Sequence, residues 1–203
     1  MKKIALLVFL CLAILPMSAQ VLYDNGPVNG TQDGWTINFG YVVSDTFVLT
    51  GAGTVGGFDF YTWTFPGDTT LTVDWQITSA EFGGTNYGSG TAAVVETFIS
   101  SNQYGYNVNK DSVGITPFVL AAGTYWLNLD NATVASGDPV YWDENSGPSM
   151  ASESALGTVP SEAFDIVGTT TSTNPTTVPE PSSILLFGSG ILGLAGVLRR
   201  KLF

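Results

Sequence analysis

The chain has 203 residues, only 11% of them charged, and a formal net charge of −11. Of its seventeen acids all but Glu180 lie between Asp24 and Asp165, and Lys110 is the only basic residue in that stretch. Such a surface repels phosphate backbones and excludes nucleic acid as a partner. Histidine is absent and Cys11 is the single cysteine, which rules out Ser-His-Asp and Cys-His catalysis, nearly excludes zinc and implies no cofactor.

Lys2 and Lys3 precede an apolar run, Ile4 to Leu15, and Pro16-Met17-Ser18-Ala19 follows. A basic start, a short apolar core and a small-residue exit are the layout of a secretory signal, expected to be cut after Ala19. The core is too short to remain as a permanent span. Phe9 and Leu10 are bulky where a lipoprotein signal needs small residues, so Cys11 is expected to leave unlipidated. The mature domain must then hold together without a disulfide.

From residue 20 to 167 strand signals dominate. Trp35, Ile37, Phe39, Tyr41 and Val43 alternate with smaller or polar residues, as do Leu71, Val73, Trp75 and Ile77, and again Tyr125, Leu127 and Leu129. A period of two predicts half-buried strands. Between Phe58 and Phe65 the phase slips: Phe58 and Phe60 face one way, Tyr61, Trp63 and Phe65 the other, and a bulge is expected there. Further strands are expected at 47–50, 92–100, 104–108, 139–142 and 163–167. Gly- and Asn-rich clusters such as Gly83-Gly84-Thr85-Asn86 mark turns between them. No amphipathic helix interrupts the pattern. Many short strands with frequent turns predict an all-β, two-sheet sandwich of jelly-roll type.

The remaining chemistry rests on carboxylates and aromatics. Asp138, Asp143 and Glu144, with Asn145, are candidate oxygen ligands for calcium, although no EF-hand spacing is present. Asp143 and Glu144 are adjacent on a strand and so point to opposite faces, which argues against an acid/base pair. Trp126 is out of phase with Tyr125, Leu127 and Leu129 and is expected on the outer face of its sheet. It and Trp142 are candidate sugar contacts, because an aromatic face beside polar atoms suits a sugar ring. Asn29-Gly30-Thr31 and Asn131-Ala132-Thr133 match the glycosylation acceptor pattern.

Residues 168–177, GTTTSTNPTT, read as a Thr-rich linker. Val178-Pro179-Glu180-Pro181 then precedes an apolar stretch, Ile184 to Leu198, which closes on Arg199-Arg200-Lys201. As a helix that stretch spans about 23 Å at 1.5 Å per residue, short of a hydrocarbon core of ~30 Å. The basic cluster is expected to stay in the cytoplasm and stop the helix sliding through.

This tail resembles the PEP-CTERM sorting signal, on the strength of Pro179-Glu180-Pro181, the apolar helix and the basic end in that order. The run Leu120 to Leu127, with Pro139 to Glu144, is also similar to exported PEP-CTERM proteins. The resemblance implies an exosortase-type membrane protease as partner, in a Gram-negative bacterium that makes exopolysaccharide. It also implies a transient stay in the inner membrane before the cell surface or matrix. With no catalytic residues to assign, the expected function is that of a non-enzymatic surface or matrix protein associated with exopolysaccharide. A carbohydrate-binding module is the alternative. A glycoside hydrolase is a third reading, which would need two carboxylates facing each other across a cleft.

Overall fold

Alternation of large apolar and small polar residues decides which strands lie at the centre. The computed structural model describes residues 19–170 and contains fourteen strands there. In chain order they are β1 (Gln20–Asp24), β2 (Gly34–Thr36), β3 (Val42–Leu49), β4 (Gly53–Thr64), β5 (Thr72–Ala80), β6 (Gly83–Ala93) and β7 (Val95–Ser101). Then follow β8 (Asn107–Leu120), β9 (Gly123–Thr133), β10 (Tyr141–Asn145), β11 (Ala151–Glu153), β12 (Gly157–Val159), β13 (Ser161–Glu162) and β14 (Phe164–Thr170). All pairings are antiparallel and form two sheets. Setting aside β2, β7 and β10 to β13, one sheet runs β1-β14-β4-β8 and the other β3-β9-β5-β6. Sequence neighbours β1, β3, β4 and β5 thus fall in alternate sheets, and the last long strand, β14, returns beside the first. This interleaving is a jelly roll, as expected.

Between the sheets Phe47, Phe58, Phe60, Ile77, Leu127, Leu129, Trp142, Phe164 and Ile166 are fully buried. Rings meet edge-on or tilted, with Phe60 and Phe164 both against Trp142 at 6.4 and 5.6 Å. Asn25, just past β1, locks the open end. Its Nδ2 lies within 2.7–3.0 Å of Asp45 Oδ2, Ser149 Oγ, Ser161 Oγ and the Glu162 carbonyl.

Several expectations change. The cluster Gly83-Gly84-Thr85-Asn86, expected as a turn, opens β6, and in place of the strand expected at 104–108 a turn closed by Asn102 precedes β8, which begins at Asn107. The alternation from Trp35 to Val43 does not form one strand. Phe39 and Gly40 take positive φ, at 55° and 86°, so the chain turns between β2 and β3 and leaves Phe39 62% exposed. The bulge in β4 lies at Val55–Gly57 instead of within 58–65. There the β4 backbone presses on β8, and a Cβ on Gly57 would stand 2.4 Å from the Val113 carbonyl. From Gly57 to Thr64 the register with β8 holds, so the apparent phase slip has another cause, described below. Finally, β14 continues past 167: Gly168, Thr169 and Thr170 pair with Val55, Thr54 and Gly53. Threonine fits a pleated edge well, and its backbone completes the ladder whatever the composition implies.

The expected signal with Cys11, the rest of the linker, the motif Val178 to Pro181, the helix at 184–198 and Arg199, Arg200 and Lys201 fall outside the described residues.

Candidate functional site

With its register held, β4 turns Phe58, Phe60 and Thr62 toward the core and Tyr61 and Trp63 outward. Trp63 is nonetheless only 4% exposed, because a second layer covers it. One side of that layer is the segment 27–34. Asp143, outward on β10, holds it: Oδ2 accepts the Asn29 N–H at 2.9 Å, and Oδ1 accepts the Gly30 N–H at 2.8 Å and the Trp63 indole N–H at 2.6 Å. Gly30 has φ +64°, and a Cβ there would meet Val108 at 3.0 Å, so the loop needs glycine to lie this low. Asn29 also caps the bend, with Oδ1 accepting the Thr31 and Gln32 N–H groups. Burial raises the Asp143 pKa to about 6, against the opposing pull of those three N–H groups.

The other side is the turn 102–106. Asn102 Oδ1 accepts the backbone N–H groups of Tyr104 and Tyr106, each at 3.0 Å, and Gly105 takes φ 87°. This presents Tyr104, 56% exposed, stacked on Trp63 at 5.9 Å and 30°. Tyr106 lies edge-on to Phe65 at 4.9 Å and to Tyr141 at 5.5 Å. Burial, and then the neighbouring Tyr106 hydroxyl, raise the Tyr141 pKa.

The result is a cleft of about 520 Å³ lined by Gln32, Asp33, Gly34, Trp63, Tyr104, Tyr106 and Tyr141. That size and lining, aromatic faces beside an amide, a carboxylate and phenol hydroxyls, suit a sugar ring. Among the lining residues Asp33 carries the only carboxylate. No sequence expectation named this cleft. Its one signal was the phase change at Tyr61 and Trp63, read as a bulge when it marked a sheet face covered twice.

The expected contacts are placed differently. Trp142 is a core residue: it is fully buried, and its indole N–H donates to the Ala163 carbonyl at 2.8 Å, which leaves no face for a ligand. Trp126 lies on the outer face of its sheet, half-buried, paired across the strands with Thr46 and Thr78. The calcium candidates do not converge. Asp143 is taken by three N–H groups, and Glu144 points to the opposite face, where Oε2 accepts the Trp35 indole N–H at 3.0 Å. Asp138 sits in a separate turn, its carbonyl bonded to Asn38. Asn145 is buried and bonded to the Asn25 carbonyl. Among the described residues no three acidic side chains form a group fit to hold a metal ion. Of the glycosylation patterns, the Asn29 amide is already engaged, donating to the Glu144 carbonyl at 2.6 Å.

Comparison with known proteins adds the tail. No curated protein matches the chain. Residues 177–201 match the PEP-CTERM protein-sorting motif, over the segment where the sequence places Pro179-Glu180-Pro181, the apolar stretch and the basic end. By that motif the chain is a PEP-CTERM protein, an exosortase substrate.

Proposed function

We propose that this exosortase-sorted surface protein is non-enzymatic and holds exopolysaccharide through the aromatic cleft. The observation that carries the reading is Tyr104, an exposed ring stacked on the buried Trp63 at the mouth of a cleft with polar groups on its wall. A ring fixed from behind loses little freedom when a sugar stacks on it.

Hydrolysis is the weaker reading, because a glycosidase needs two carboxylates about 5–10 Å apart and Asp33 stands alone on this lining. The test is retention. In cells making polysaccharide, the wild-type protein is expected in the matrix fraction and a larger share of Tyr104→Ala in the medium. Equal retention of both would end the proposal.

A further inference from the structure

At the other end of the sandwich, β6 pairs with β5 at its sheet edge and faces β8 across the opening between the sheets. Sandwich edges are usually closed by large inward side chains. Here the partners of Trp75 and Ile77 on β6 are Gly90 and Gly88, and a cleft of about 580 Å³ remains between β6 and the 114–118 segment of β8. The two glycines act differently. A Cβ on Gly88 would stand 2.8 Å from Phe118 Cε1, so the Phe118 ring rests directly on that backbone. At Gly90 the space is open, and the nearest heavy atom to a Cβ would be Trp75 Nε1 at 3.7 Å.

Trp75 is 7% exposed, and its indole N–H has no partner among the described residues. Trp35, Trp63 and Trp142, in contrast, each donate to a protein oxygen. The Trp75 N–H opens on the cleft, where an oxygen from outside can accept its hydrogen bond. Phe118 and Tyr87, the latter 42% exposed and edge-on to Tyr125 at 5.2 Å, supply apolar walls. No residue of the lining is charged, and the domain around it carries acids against Lys110 alone, which repels an anionic polymer.

We propose that this cleft is a second glycan site, specific for uncharged sugars, with the Trp75 N–H donating to a sugar oxygen and Phe118 and Tyr87 covering the ring. The proposal rests in part on the exopolysaccharide reading, since together the two clefts make one domain bivalent. The β8 stretch from Asn107 to Val113 separates them, roughly 20 Å at about 3.3 Å per residue. One sugar cannot fill both, so one domain joins two stretches of polysaccharide and gains avidity.

The test is calorimetric titration of the exported protein with neutral α- and β-glucan hexasaccharides and with an oligouronate as anionic control. Gly90→Val fills the cleft without a clash at Cβ, and Trp75→Phe removes the donor while keeping a ring. Wild type is expected to show two sites per chain for a neutral hexasaccharide. Gly90→Val should lose one, Trp75→Phe should weaken that one at least tenfold, and Tyr104→Ala should lose only the other. Melting curves confirm that each variant is folded. A single site lost in Tyr104→Ala and untouched by Gly90→Val and Trp75→Phe would overturn this inference and leave the first cleft standing. A single site lost in Gly90→Val alone would uphold it and sink the first cleft. No binding of any neutral glucan, or preference for the uronate, would overturn it.

Discussion

The indole of Trp63 donates to Asp143 at 2.6 Å, and the same carboxylate accepts two backbone N–H groups from the loop that covers that indole. One acid therefore fixes both the floor and one wall of the aromatic cleft. Asp143→Asn keeps the shape but turns an N–H₂ toward N–H donors, leaving at least one buried donor unmet. The expected loss is about 3 kcal/mol in stability, read by chemical denaturation, with a matching loss of glycan affinity. A variant as stable as wild type would show that the loop is held by other contacts.

Stability should fall as pH rises toward neutrality. Burial raises the pKa of Asp45, Asp143 and Asp165 to about 6 and of Asp111 to about 7, and moves Glu162 well above its ordinary value. These groups hold protons more tightly in the folded domain than in the unfolded chain. Their contribution is full below the unfolded carboxylate range near pH 4 and is lost as pH climbs through about 6 to 7. The melting temperature is thus expected to be higher at pH 5 than at pH 8. Asp111 is the sharpest case. Its Oδ2 accepts from the Thr62 hydroxyl at 2.9 Å, its Oδ1 is buried without a partner, and Glu96 adds repulsion. Asp111→Asn keeps the Thr62 bond and sheds the charge, and should stabilise the domain at pH 8 by on the order of 2 kcal/mol with little change at pH 4. Thermal melts of both proteins across pH check this, and parallel curves would contradict it.

The sorting tail gives a separate prediction. Residues 177–201 match the PEP-CTERM sorting motif and include Pro179-Glu180-Pro181. Replacing all three by Ala should leave export intact and trap a longer, membrane-bound form. Mass analysis of the mature wild-type protein should find residues 184–203 removed. A tail that persists on mature protein would contradict the sorting account.

Much of the architecture could be read from alternation. Val73, Trp75 and Ile77, and Tyr125, Leu127 and Leu129, all turned inward as their period requires. Where one strand face meets solvent, period two is a direct record of burial. The reading failed where burial came from elsewhere. Trp63 is covered by segments 27–34 and 102–106, the first held by Asp143 through bonds between residues 113 and 114 positions apart and the second by its own Asn102 turn. Trp142, set among acids and Asn in sequence, is walled in by Phe60 and Phe164. Local composition does not record such distant partners. Leu71 failed for a related reason: it continues the alternation but lies before the strand, 48% exposed. The tail was legible because its signal is the linear order of residues and needs no fold.

The central claim is that an exposed tyrosine backed by a buried tryptophan binds the polysaccharide. Its most direct test is titration of the exported protein and of Tyr104→Ala with the exopolysaccharide of the producing cell, with melting curves in parallel. Tyr104 is 56% exposed, so its removal should leave the melting temperature nearly unchanged. The account predicts saturable binding by wild type and loss of the aromatic-cleft site in the variant. Equal affinity in two equally stable proteins would contradict it.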